Sequence, residues 1–171
     1  MGGRTDVRRL GVQDAASLMS LRREALEADP LAFAASIEDD LALAPDFVRR
    51  SLENEREQAV FGYFEADTLC GMVGLSRASR LKQRHAATVW GMYVSTRARR
   101  RGAGRALLDA AVEQARAWGL EQVQLSVTDA APAAKRMYEA AGFRSWGRQP
   151  RALEWRGRFV DDHHMVLDLL P

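Results

Sequence analysis

The chain has 171 residues, 47% apolar and 28% charged, which supplies a real core and excludes an intrinsically disordered protein. Its formal net charge is only +2, so it is not globally basic, and any cluster of positive charge is a local feature with a local anionic partner. A lone cysteine, Cys70, rules out an internal disulfide and points to a reducing compartment.

The opening "MGGRTDVRRL" lacks the apolar run of a signal peptide, and nowhere do apolar residues run long enough to cross a bilayer. The expectation is a soluble cytoplasmic protein with no membrane partner. "TDVRRL" reads as a first strand. "VQDAASLMSLRREALEADP" reads as a helix with Asp14 as its N-cap, Ala15, Leu18, Met19, Ala25 and Leu26 as its apolar stripe, and Pro30 as its stop. "PDFVRRSLENER" reads as a second, more polar helix with Pro45 near its start. Two apolar runs around "EADT" signal a hairpin, and Cys70 within the second is expected to be a buried, inert thiol.

"HAATVWGMYVS", rich in β-branched and aromatic residues, is the next strand. A loop follows in which Arg97–Arg105 holds five arginines and two glycines. The helix "GAGRALLDAAVEQARAWG" places Ala103, Leu107, Ala110, Ala111, Gln114 and Trp118 on one side, charged residues on the other, and Gly119 at its end. "LEQVQLSV" is a strand. "DAAPAAKRMYEAAGF" is a short helix with Pro132 in its first turn and Gly142 at its close. "FRSWGRQPRALEWRG" and "RFVDDHHMVLDLL" finish the chain as strands around a turn. No repeat or linker divides it, so one domain over residues 1–171 is expected. The order β-α-α-β-β-β-α-β-α-β-β implies an α+β protein, a mixed sheet with helices on its faces.

The arginine loop carries the chemistry. A helix N-terminus presents unpaired N–H groups and the positive end of the helix dipole. Glycines let a phosphate approach that backbone, and arginines add charge-assisted hydrogen bonds. Arg99–Gly104 therefore suits a pyrophosphate; a solvated basic turn is the plainer alternative. No Gly-Lys-Ser/Thr follows, which excludes a P-loop. A dinucleotide fingerprint fits poorly, because Leu107 stands where its third glycine belongs and the strand ends near Val94, too far from Gly102. Asp129 only partly matches its ribose-binding acid. Nucleic-acid binding is disfavoured by the small net charge.

At these residues the chain resembles the GNAT N-acetyltransferases. "WGMYVSTRARRRGAGRALLDAAV" is similar to their acetyl-CoA signature, a strand ending in hydrophobic-x-Val and then Arg/Gln-x-x-Gly-x-Gly/Ala opening a helix, which Arg99, Arg100, Arg101, Gly102, Ala103 and Gly104 fill. "AAPAAKRMYEAAGF" resembles a second family block through Ala134, Tyr138, Gly142 and Phe143. The front segment and tail resemble, more weakly, a bacterial branch whose acceptors are mostly unassigned. The resemblance implies the GNAT acyl-CoA N-acyltransferase fold, a mixed sheet of about seven strands flanked by about four helices. It implies acetyl transfer from acetyl-CoA to an amine by direct attack.

It also implies roles. The Arg101–Arg105 backbone and neighbouring arginines would hold the pyrophosphate, with Met92, Tyr93 and Val94 beside the pantetheine arm, the Val94 N–H on the acetyl oxygen, Tyr138 as acid to the sulfur, and Ala131 and Ala134 near the cofactor. Two positions depart from the family pattern. Arg100 stands where glycine is frequent, and Ala131 replaces an asparagine that commonly helps hold the cofactor. The base is open. Glu24 and His85 are candidates beside a water chain, although each also reads as an ordinary surface residue. Phe33 and Tyr93 are backed as acceptor-pocket lining; Trp90 and Trp146 read rather as core.

"DDHH" at Asp161–His164 gives no metal site, since strand neighbours point to opposite faces and two ligands do not suffice. The acceptor would be a small-molecule amine or a protein N-terminus. A non-catalytic acetyl-CoA or CoA sensor is the alternative, favoured slightly by Ala131. The apolar "MVLDLL" end permits a homodimer, and burial within the monomer explains it equally well.

Overall fold

The computed structural model describes residues 5–170; residues 1–4, read above for a leader, and residue 171 lie outside the described residues. The elements are β1 (Thr5–Arg9), α1 (Ala15–Ala28), α2 (Pro45–Glu53), β2 (Gln58–Glu65), β3 (Thr68–Arg77), β4 (Ala86–Val94), α3 (Ala103–Ala117), β5 (Gln122–Thr128), α4 (Pro132–Ala140), β6 (Arg144–Trp155) and β7 (Arg158–Asp168). Every element expected from the sequence is present, in the expected order. The strands form one seven-stranded sheet in the order β1-β2-β3-β4-β5-β7-β6. Only β4 and β5 pair in parallel; each other neighbouring pair is antiparallel.

Each face of the sheet carries its own core. Against one face, Leu18, Leu21 and Ala25 of α1 and Val48 and Leu52 of α2 cover Val60, Phe64, Met72 and Tyr93. Against the other, α3 and Tyr138 of α4 cover Tyr63, Val73, Leu75, Val89 and Leu125. Burial on both faces explains why β3 reads as an almost continuous apolar run, and Cys70 sits in it 1% exposed.

Three local expectations need correction. Asp14 stands at the N-cap of α1 but makes no side-chain cap bond. Its carboxylate turns back to accept two hydrogen bonds from Arg8, at 2.9 and 2.8 Å, and one from the Gly11 N–H. The charged donor outcompetes the helix's own N–H groups and holds the Asp14 carboxyl below its ordinary range. The buried stripe of α3 runs through Ala103, Leu107, Leu108, Ala111, Val112 and Ala115, with Ala110 and Gln114 only half-buried at its edge. Helix α2 stops at Glu53, short of the expected Arg56, where Asn54 caps it.

Candidate active site

The site begins where the sheet comes apart. Strands β4 and β5 pair only from Ala86 to Thr88 against Gln122 to Gln124, and beyond that register they part. β3 continues to pair with β4 up to Val94, so the far edge of β4 is left without a strand partner. The Ser95 N–H donates to the Cys70 carbonyl at 2.8 Å. Because successive residues of an antiparallel ladder alternate in direction, the Val94 N–H and C=O face the open side. The ladder also slips between Met72 and Gly74, placing one extra residue in β4 beside Gly91. Gly91 has φ +63°, a left-handed value that suits glycine and bends the strand here.

The arginine loop closes the mouth of this opening, and its members divide the work. The Arg99 side chain turns inward. Its Nε donates to the Val94 carbonyl at 2.9 Å, its Nη2 reaches Asp29 at 2.7 Å, and its guanidinium lies 5.6 Å from the Tyr93 ring centre. Arg99 thus ties the loop to the ends of β4 and α1. Arg101 pairs with Glu65 at 3.1 Å, and Arg105 with Asp109 at 2.8 Å. These three side chains pair with protein acids; Arg97 and Arg100 are in no ion pair among the described residues, so both they and the loop backbone are left to meet an anion. Gly102, at φ +79°, has nothing within 4 Å of where a Cβ would stand, and no side chain caps α3. The first N–H groups of that helix are therefore open to a phosphate. Gly104 is tighter: a Cβ there would come within 3.0 Å of the Met137 sulfur and 3.9 Å of Val94. Absence of a side chain lets α3, α4 and the end of β4 converge. Arg100 adopts φ +63°, a left-handed value that strains a side chain and that glycine would hold at little cost.

Helix α4 brings Tyr138 to the α3 face, 5% exposed and 5.9 Å from the Phe143 ring. Burial alone pushes its hydroxyl well above the ordinary tyrosine range, so it stays protonated. Ala131 is the N-cap of α4 and supplies no capping side chain; Ala134 is half-buried against the core. On the opposite face, Glu24 of α1 accepts hydrogen bonds at Oε1 from the Tyr93 hydroxyl, 3.1 Å, and from Ser95 Oγ, 2.6 Å. Burial, together with that carboxylate, raises the Tyr93 hydroxyl to about 12. Glu24 thus stands at the end of β4, next to Val94. His85 does not: it precedes the first residue of β4, roughly 30 Å along an extended strand from Val94. It is removed as a candidate base.

On the α1 face a cavity of about 400 Å³ lies over the parted strands. Its walls include Arg22, Phe33, Trp90, Gly91, Ser126, Trp146, Asp162 and His164. Phe33 is there as expected. Trp90 and Trp146, read as core, line it as well, whereas Tyr93 packs edge-on against Phe33 in the core beneath, with ring centres 6.5 Å apart. The "DDHH" run does alternate: His163 turns to Asp129 at 2.6 Å, while Asp162 and His164 line the cavity. Two buried polar atoms in this lining, Arg22 Nη1 and Asp162 Oδ1, have no hydrogen-bond partner among the described residues. Leaving such an atom unsatisfied costs about 1–3 kcal/mol. Arg22 was not singled out by the sequence, and Asp162 entered only as part of the "DDHH" run weighed and set aside as a metal site. The glycine in the middle of a strand pattern, Gly91, was the available sign that β4 is interrupted.

The sequence pattern described as acetyltransferase (GNAT) family matches residues 18–143. No curated protein matches the chain. The structure is similar to that of a GNAT-family acetyltransferase from Streptococcus pneumoniae, with 26% identity, TM-score 0.87, and coverage of 97% of this chain and 100% of that one. It is also similar to a phosphinothricin acetyltransferase from Sinorhizobium meliloti in complex with acetyl-CoA, at 23% identity, TM-score 0.84, and coverage of 99% and 89%. A ribosomal-protein-alanine N-acetyltransferase from Brucella melitensis gives 21% identity, TM-score 0.83, and coverage of 96% and 99%. The chain belongs to the GNAT family of acetyltransferases. By that membership it is an acetyl-CoA-dependent N-acetyltransferase. Acceptors in such enzymes include small amines and protein N-termini. No helix among the described residues is long and apolar enough to cross a membrane.

Proposed function

We propose that the chain acts as a single domain and acetylates a primary amine seated in the cavity on the α1 face. The observation that carries this reading is the parting of β4 and β5 beyond Thr88 and Gln124. It gives the cavity access to an unpaired strand edge that ends at an uncapped helix N-terminus. Acetyl-CoA supplies an activated thioester. The N–H groups at the start of α3, over Arg101–Arg105, suit its pyrophosphate, and Arg99 holds that loop in place. The open edge around Met92–Val94 suits its pantetheine amides by strand addition. The Val94 N–H is the donor for the acetyl oxygen, where negative charge grows during attack.

An acceptor ammonium, with a pKa near 10, must first lose a proton. Glu24, oriented by Tyr93 and Ser95 and outside the cavity lining, is the base we assign, taking the proton through water and passing it on to solvent. The amine nitrogen then forms a bond to the acetyl carbon as the carbon–sulfur bond breaks. Products are the amide, CoA as its thiol and one proton released. Tyr138 donates a hydrogen bond to the departing sulfur. Because burial raises its pKa, it steadies that charge more readily than it surrenders its own proton, and the proton that finally reaches sulfur comes from solvent. Acetylation of a broad amine panel, followed by thiol release, tests this reading. Turnover of any amine together with acetyl-CoA binding supports it, and acetyl-CoA binding with no turnover of any amine would favour the sensor alternative.

A further inference from the structure

We infer that the acceptor is a free amino acid with an apolar side chain, its carboxylate held by Arg22 and its ammonium received by Asp162. This rests on the transferase reading above and gives that site its substrate class. Arg22 is 7% exposed, and its guanidinium is fixed on two sides. Its Nε donates to Asp40 at 2.6 Å, and its Cζ lies 4.7 Å from the centre of the Phe33 ring. Both Asp40 oxygens are engaged, since the other accepts the Ala42 N–H at 2.8 Å. Arg22 Nη1 is buried, without a partner among the described residues, and 3.6 Å from where a Cβ would stand on Gly91, a residue of the cavity wall. It therefore faces the interrupted stretch of β4, close to where the acetyl group must be presented.

In the wall of the same cavity, Asp162 on β7 offers the complementary orphan, a buried carboxylate oxygen without a donor. One unpaired cationic donor and one unpaired anionic acceptor in a single cavity complement a zwitterion. A simple amine would satisfy Asp162 and leave Arg22 Nη1 unpaired. A protein N-terminus, whose α-carboxyl is already an amide, would offer Arg22 only a neutral oxygen. The rest of the wall includes aromatic and aliphatic groups, Phe33, Trp90, Trp146 and Leu153. That surface suits an apolar side chain, and about 400 Å³ has room for an amino acid.

The test compares phenylalanine, leucine and methionine with their carboxamides, with phenethylamine and isoamylamine, and with a dipeptide amide. It has two readouts on the intact protein: thiol release with acetyl-CoA, and calorimetric binding of each compound to the CoA-saturated protein. The expected kcat/KM for at least one free amino acid exceeds that of its amide and its decarboxylated amine by about 100-fold, and binding follows the same order. Arg22→Lys, which keeps the charge and loses the fork, should cut that preference to less than tenfold. Asp162→Asn should weaken binding of the amino acid and of the plain amine alike. Amides, plain amines or the dipeptide amide reacting within threefold of the amino acids would overturn the inference and leave the transferase reading standing. Failure of acetyl-CoA to bind would overturn both.

Discussion

The two halves of the site are built from different materials. The cofactor half, from Met92 to Arg105, is contiguous and made largely of backbone: an unpaired strand edge, a glycine-bearing loop and the first turn of α3. The acceptor half is made of side chains gathered from α1, the loop at Phe33, β5, β6 and β7. Backbone geometry of the first kind constrains the sequence in one stretch, through glycines and a fixed spacing. A cavity assembled from separated positions constrains each of them only weakly. The cofactor half can therefore be recognised from one stretch of sequence, while the acceptor half cannot.

Several changes sharpen that contrast. The largest effect is expected at Tyr138. Tyr138→Phe removes one hydroxyl from a buried ring and should lower kcat by about 100-fold with little change in acetyl-CoA affinity; kcat within threefold of the parent would remove the residue from the chemistry. Next comes Arg99→Ala. An exposed ion pair adds at most about 1 kcal/mol of stability, so the melting temperature should hardly move. Yet the loop loses its anchor to Val94 and Asp29, and acetyl-CoA affinity should fall about tenfold by calorimetry. Unchanged affinity would show that the loop needs no side-chain anchor.

Two substitutions in the same turn should act in opposite directions. Gly102→Ala forces a side chain into a left-handed position and should cost about 1 kcal/mol, lowering Tm by roughly 2–4 °C. Arg100→Gly relieves the same strain and should raise Tm by roughly 1–3 °C, the gain being reduced by the greater freedom of glycine in the unfolded chain. A thermal melt of each decides, and a stabilising Gly102→Ala would contradict the geometry.

The smallest effect concerns pH. Burial raises the Tyr93 hydroxyl from 10 to about 12 in the folded protein. The folded state then holds a proton the unfolded chain has lost, so this contribution is complete below pH 10 and disappears as pH rises toward 12. Denaturant midpoints should fall over that range, and Tyr93→Phe should make the fall shallower; an equally steep decline would remove Tyr93 as a source.

How far the sequence could be read follows the same division. Strand and helix periodicity gave most of the order of elements, because most of them are amphipathic or buried; β6, which has no buried residue, was read instead as one of two strands around a turn. Fine placement escaped wherever a tertiary contact overrode a local rule. Asp14 left the helix it was expected to cap for Arg8. The stripe on α3 shifted toward Leu108 and Val112, which are buried in the core that this helix shares with the sheet. In the site, spacing drew attention to the Arg99–Gly104 loop and the family resemblance alone to Tyr138, and the inward turn of Arg99 was not legible. Arg22 was invisible for a physical reason. One arginine among the charges of "LRREALEAD" looks like solvent-facing charge, and only Asp40, eighteen positions on, and Phe33 make it a buried one. Asp162 and His164 could be placed on one side of a strand, but not against the gap between two others.

The central claim is that the parted strands and the open turn of α3 together hold acetyl-CoA. Calorimetric titration of the purified protein with acetyl-CoA tests it directly. The account predicts one site per chain with a dissociation constant on the order of micromolar or tighter, about −8 kcal/mol. Undetectable binding would contradict it and leave the fold without the activity assigned to it.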